Sequence, residues 1–223
     1  MSGLFITFEG TEGSGKSTQA VLLTRRLIKM GHRTLILREP GGTPIGEEIR
    51  HTLKHSDVNH GMTPETELLL MNASRAQLVG EVIRPALARG EIVVSDRFYD
   101  STTAYQGYGR GLDLEMVRQI IRCAVGETRP HLTLLLTVPV KVSEARRRAR
   151  SLPGLEHIRD RMEEADRSFF ERVEVGYQKI AAAEPDRIKT IDATRTLDEV
   201  SQAIWAAVEP ALSRLGQKTI IGT

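Results

Sequence analysis

A chain of 223 residues with 40% hydrophobic and 27% charged residues has an ordinary globular composition and enough length to bury a sizeable core. Its net charge of +2 gives no reason to expect a nucleic-acid partner, and no apolar run approaches the roughly 20 residues a membrane span requires. The one cysteine, Cys123, excludes an internal disulfide and suits a reducing cytoplasm, the location expected for a chain that opens directly into a strand. Its setting in "MVRQIIRCAVGE" has helical periodicity, so a buried core thiol is expected there.

Short apolar strands alternate with longer amphipathic stretches. Strands are expected at residues 4–9, 33–39, 91–96, 131–138 and 187–193. Between them the pattern predicts a helix from Gly15 to about Met30, closed by Gly31, and another through "GEEIRHTLKH" after the turn "PGGTP". A long helix is expected over residues 64–89, with Gly90 as its cap. Helical patterns continue at 101–108 and 114–126, then from about 141 to 183 with a break near Pro153 and Gly154, and finally over 196–215. The last residues, "GQKTIIGT", read as a loose tail. This alternation implies a single α/β domain built on a five-stranded parallel sheet flanked by helices.

Between the first strand and first helix stands "GTEGSGKST", which matches G-x-x-x-x-G-K-[ST] with Gly10, Gly15, Lys16 and Ser17 in register. Gly10, Gly13 and Gly15 permit a tight turn whose N–H groups, with those of Thr11, Glu12, Ser14 and Thr18, converge at a helix N-terminus. Such a nest holds the phosphates of a nucleoside triphosphate such as ATP. Lys16 would reach the β- and γ-phosphates and Ser17 would offer a hydroxyl to Mg²⁺. The loop alone does not say what receives the phosphoryl group.

Arginines suit the acceptor side, being permanently charged and able to bind phosphate bidentately. Arg97 follows the third strand, Arg50 lies on the helix after "PGGTP", and Arg75 lies on the long helix. Seven arginines crowd the stretch from Glu144 to Arg167, around the break "SLPGL". One reading is a solvent-facing helix held by i,i+4 pairs. The other, favoured by the arginine-flanked break after a strand, is a lid over residues 144–158 that closes on the donor phosphates.

Taken in order, "FEGTEGSGKST", "REPGGTPIGEEIR", "DRFYDSTTAYQG" and "DRMEEADRSFFERVEVGY" resemble the bacterial thymidylate kinase family of P-loop nucleoside-monophosphate kinases, over nearly the whole chain to about residue 210. The resemblance implies a P-loop kinase fold with a helical lid, and transfer of the γ-phosphoryl group of ATP to dTMP with Mg²⁺. It implies that Arg97 and Arg50 hold the 5′-phosphate and that Glu12 accepts from the 3′-hydroxyl. Arg75 and Gln106 would read the thymine edge, and Tyr105 would crowd the 2′ position. Asp96 would help position Mg²⁺ and Arg97, and Glu39 and Thr102 would join the dTMP side. Because the loop "TEGS" carries no base, Arg146, Arg148 and Arg150 are the candidates to act with Lys16 and Arg97 on the transferring phosphoryl group. A homodimer formed through the helix at residues 65–89 is also implied.

The chain departs from the family's pattern in two places. Met71 stands where the family usually has a Phe on the thymine ring, and Glu174 where it often has a basic residue. The alternatives are a kinase for another monophosphate or for a deoxynucleoside, and a P-loop switch that hydrolyses ATP without an acceptor. A nucleoside kinase would need a general base and less of Arg50 and Arg97, and a switch would need no base-reading pocket.

Overall fold

The computed structural model describes residues 3–56, 59–150 and 166–220, less the side chains of 147, 148, 150 and 216–220. Five strands, β1 (Leu4–Glu9), β2 (Thr34–Arg38), β3 (Ile92–Asp96), β4 (Leu132–Thr137) and β5 (Ile188–Asp192), form one wholly parallel sheet in the order β2-β3-β1-β4-β5. All six residues of β1 are buried, as expected of a central strand covered on both faces. Leu4, Ile6 and Phe8 pack on one face among residues of α1 (Lys16–Lys29) and α9 (Leu197–Ile220). Phe5 and Val93 pack on the other with α3 (Pro64–Leu78) and α6 (Leu114–Val125).

The order of strands positions the site. β1 and β3 are neighbours, with Phe8 opposite Asp96, so the loops that leave their carboxyl ends start side by side. That is where open parallel sheets bind ligands. Beyond β2, α2 (Pro44–Lys54) begins at Thr43, whose hydroxyl caps Gly46 N–H at 3.0 Å.

The helical regions match the sequence expectation with three differences, and one expected break cannot be compared. The stretch expected as one long helix runs as α3, a π-helical turn at Val79–Ile83 and α4 (Arg84–Ala88), with Pro85 at the start of α4, where its missing N–H costs little. The pattern at 101–108 forms α5 (Tyr99–Thr102) and then a π-helical segment, Thr103–Gly109. In the arginine-rich region α7 (Val140–Arg150) and α8 (Arg167–Ala183) are both present, and the break at Pro153 and Gly154 lies outside the described residues, as does most of the expected lid. The expected tail does not begin at Gly216, because α9 continues to Ile220.

Cys123 corrects its expectation: it is exposed. The buried stripe of α6 is Val117, Ile121 and Val125, spaced by four. Two residues past Ile121, Cys123 points about 200° around the helix from that stripe.

Candidate active site

The phosphate loop is shaped by contacts that tolerate no side chain at two glycines. A Cβ on Gly10, at φ 135°, would lie 2.3 Å from the Leu136 carbonyl, and one on Gly13, at φ 80°, would lie 2.8 Å from the Ser143 carbonyl. The loop opens onto the N-terminus of α1, which has no acidic residue in its first turn to compete with an anion. Lys16, 5% exposed, folds back and donates through Nζ to the Thr11 carbonyl at 2.9 Å. Burial, and then the charge of Arg97, bring its ammonium down to about 8.

Arg97 is the hinge between this loop and the rest of the site. Its backbone N–H donates to Phe8 O at 2.9 Å, which ties the end of β3 to β1. Its guanidinium donates to Glu12 Oε1 at 2.5 Å, Ser101 Oγ at 2.8 Å and Tyr105 Oη at 3.2 Å, and lies 4.9 Å from the centre of the Tyr105 ring. Burial opposes ionisation of Glu12, but Arg97, Lys16 and Lys54 outweigh it and hold the carboxyl well below the usual range.

Beneath Arg97 lies a buried acid that the sequence reading did not single out. Glu9, the last residue of β1, accepts from Phe98 N–H at 2.7 Å, Ser101 Oγ at 2.5 Å and Tyr177 Oη at 2.9 Å. Burial, then the charge of Asp100, push it up to about 7 against the pull of Arg97. A carboxylate ending an otherwise apolar strand was its only signal. Tyr177 gave none, because it continues the apolar stripe of α8 through Phe170 and Val173.

Next to Arg97 is a small cavity. Of the expected acceptor-side residues, Glu12, Glu39, Met71, Arg75, Arg97, Thr102, Tyr105 and Gln106 all line it. Ser101 and Lys54 line it too and had not been assigned. Arg50 does not; it donates to the carbonyl of Pro40, which does, at 2.8 Å.

Arg75 is more heavily engaged than a base-reading residue needs to be. It is 2% exposed and all five of its N–H groups have protein acceptors. Nε and one NH2 hydrogen go to Glu39, NH1 goes to Asn72 Oδ1 and Thr102 Oγ1, and the other NH2 hydrogen goes to Phe98 O. Burial raises Glu39, and the paired Arg75 opposes that rise. Gln106 lies alongside, its Nε2 donating to the buried Glu67 at 2.8 Å.

The metal candidates also meet. Ser17 Oγ lies 2.5 Å from Asp96 Oδ2 at an exposed position. One hydroxyl and one carboxylate form an oxygen-only set that suits Mg²⁺, an ion that keeps several waters and binds through substrate phosphates. Among the described residues no group of three His, Cys, Asp or Glu is placed to hold a metal unaided.

Of the arginines expected from the lid, Arg146 reaches the phosphate loop, donating to Gly13 O at 3.4 Å and to Ala193 O at 3.0 Å. Ser143 fastens the same helix by donating to the Glu12 carbonyl at 2.5 Å. The side chains of Arg148 and Arg150 lie outside the described set. Glu174 lines a separate cavity with Gly10, Thr11, Pro139 and Tyr177.

The family described as Thymidylate kinase matches residues 8–204. A thymidylate kinase of Syntrophotalea carbinolica is 50% identical over 212 residues, covering 95% of this chain and 98% of that one. One from a Synechococcus strain is 50% identical over 209 residues, covering 94% and 96%. Among solved structures, thymidylate kinase from Ehrlichia chaffeensis aligns with a TM-score of 0.74 at 30% identity, covering 94% of this chain and 99% of that one.

Proposed function

Because the chain belongs to the thymidylate kinase family, we propose that it transfers the γ-phosphoryl group of ATP to the 5′-phosphate of dTMP, giving dTDP and ADP. The observation that carries this reading is the Arg97–Glu12 pair, which joins the phosphate loop directly to a cavity lined by Met71, Arg75, Thr102, Tyr105 and Gln106. Donor cradle and acceptor pocket thus share a wall.

The chemistry needs no strong general base, because the acceptor phosphate oxygen is already anionic at neutral pH. Catalysis is then positioning and charge stabilisation. Lys16 and the N-terminus of α1 take the donor phosphates. Arg97 holds the acceptor phosphate, with Arg50 at the rim and Lys54 as a further cation lining the cavity. Glu12, kept ionised by its neighbours, accepts from the 3′-hydroxyl. Tyr105, pinned by Arg97, fills the space a 2′-hydroxyl would need. Arg146 is the lid-side arginine that the geometry supports, and Arg148 and Arg150 stay candidates from sequence.

At the base, the oxygen of Gln106 faces a donor and Arg75 faces a carbonyl. With every N–H of Arg75 already given away, the carbonyl shares one now held by Asn72 or Thr102. Arg75 therefore reads the base and holds Glu39 together. Met71 packs its thioether on the ring and forgoes the offset-stacking gain of about 0.5–1.5 kcal/mol available to an aromatic. Mg²⁺ would be held by Ser17 and Asp96, and when bound it neutralises charge between the donor phosphates.

The reading extends to a cytoplasmic homodimer formed through α3, where Leu69 is 56% exposed; sedimentation velocity distinguishes it from a 24.8 kDa monomer. Among the described residues no helix is long and apolar enough to cross a membrane.

The test of the reaction is ADP release with Mg-ATP and each of dTMP, dUMP, ribo-TMP, dCMP, AMP and GMP in turn. Turnover with dTMP should far exceed that with the ribonucleotides and with dCMP. A different acceptor turning over while dTMP gives only background hydrolysis would overturn the assignment.

A further inference from the structure

Gln106 can read a base only if its amide points the right way. An amide is nearly symmetric in shape, and rotating it exchanges a donor for an acceptor. If the nitrogen faced the cavity, the pocket would present N–H to the base and would suit a pyrimidine whose N3 is an acceptor, as in cytosine. If the oxygen faced it, the pocket would suit a pyrimidine with an N3–H, as in thymine or uracil.

The structure assigns this choice to Glu67 and Arg110, which act as a positioning pair that fixes the amide of Gln106 and so sets thymine against cytosine. The inference rests on the proposed role of Gln106 at the base. Glu67 lies on α3, with a side chain only 1% exposed. It accepts from Gln106 Nε2 at 2.8 Å through Oε1. Arg110 grips the same carboxylate with two N–H groups, Nε to Oε1 at 3.2 Å and NH2 to Oε2 at 2.9 Å. A carboxylate held by a guanidinium offers acceptors alone, so the only amide orientation it tolerates turns nitrogen towards Glu67. The oxygen of Gln106 is then the atom left for the cavity. Among the described residues no donor reaches it, and it is not among the sealed, unpartnered polar atoms, of which Thr24 Oγ1 is the only one.

The pair itself is held in place. Arg110 packs its guanidinium 4.7 Å from the centre of the Phe169 ring on α8, and its backbone N–H donates to Tyr105 O at 2.8 Å. Gln106 and Arg110 therefore leave one short segment with fixed spacing and meet one carboxylate. Stability alone is a poor explanation for this arrangement, since a buried ion pair commonly does no better than hydrophobic residues of the same volume. Orientation of a neighbouring amide is something that hydrophobic residues could not provide.

The experiment measures kcat/KM for dTMP and for dCMP, at saturating Mg-ATP, in the wild type, Gln106→Leu, Glu67→Gln, Glu67→Asp and the Gln106→Leu/Glu67→Gln double variant. Glu67→Gln keeps the shape but can donate as well as accept, so the amide of Gln106 becomes free to flip. Glu67→Asp keeps the charge for Arg110 but is one methylene too short to reach Gln106. It stands in if the glutamine variant does not fold. Either change should lower the dTMP-to-dCMP ratio by about tenfold or more, as expected when a polar pocket loses a fixed hydrogen-bond pattern. The loss should appear more in KM for dTMP than in kcat, which a merely structural role would not produce. In the Gln106→Leu background the Glu67 change should add nothing further to the ratio.

Two results would sink it differently. If Gln106→Leu lowers the ratio but the folded Glu67 variants leave it within about twofold of wild type, Gln106 reads the base without help and the positioning role is wrong. If Gln106→Leu itself leaves the ratio unchanged, the role of Gln106 at the base fails first.

Discussion

Arg97 sits at φ 75°, the only described residue other than glycine in that region of backbone space. A non-glycine residue held there stores strain of order 1–3 kcal/mol, which persists only where surrounding contacts enforce it. Here the β1 carbonyl fixes the backbone, and Glu12, Ser101 and Tyr105 fix the side chain. Its place beside the phosphate loop was legible in the sequence, from an arginine placed directly after a strand. So was the phosphate loop, whose spacing is tied to a strand–helix junction. Glu9 and Tyr177 were not, because their role comes from packing beneath Arg97 rather than from any local pattern. Lys16 gives a prediction at this scale. With its ammonium down to about 8, the free protein carries it partly neutral at pH 8 and fully charged at pH 6. Bound phosphates favour the charged form and restore the proton. Nucleotide binding should therefore take up more protons at pH 8 than at pH 6. Calorimetry in buffers of different ionisation enthalpy measures this directly. Equal behaviour at the two pH values would show that Lys16 is not tuned in this way.

At the scale of elements, strand positions were legible because each apolar run was short and bounded by turn residues. The boundaries of the helices were less so. The buried Val79, Ile83 and Ala86 stay four and three residues apart across the π-helical turn, which is why α3 and α4 read as one helix. Cys123 misled for a related reason, since periodicity shows that a helix exists but not which face is covered. The π-helical segment Thr103–Gly109 matters more, since it carries Tyr105 and Gln106 to the cavity and packs on α8. A Cβ on Gly109 would lie 2.6 Å from Phe169 Cε2 and 2.8 Å from Val173 Cγ2. Gly109→Ala should therefore push α8 from the segment at a cost of about 1–3 kcal/mol. Thermal denaturation should show a midpoint lower by roughly 2–4 °C for each kcal/mol lost. Because α8 also supplies Tyr177, KM for dTMP should rise in parallel. An unaltered midpoint would mean that the helix accommodates the methyl group without moving.

For the molecule as a whole, a strand order of β2-β3-β1-β4-β5 brings two carboxyl ends together, and in the proposed reaction each would deliver one half. The loop after β1 would cradle the donor, and Arg97 after β3 lines the cavity proposed for the acceptor. The fold class was readable from the alternation of strands and helices, but strand order was not, because nothing in a single sequence says which strands are neighbours. The proposed acceptor side was legible chiefly as a set of residues scattered over more than ninety positions, from Glu12 to Gln106, whose meeting around one cavity only three dimensions reveal. The central claim is that the phosphoryl group passes across the wall these loops share, and the most direct test follows that group. ATP labelled at its γ-phosphate is mixed with the protein, Mg²⁺ and dTMP, and the products are separated. The account predicts label in dTDP, one dTDP for each ADP, with little free phosphate. Label released as inorganic phosphate at the same rate with or without dTMP would contradict it.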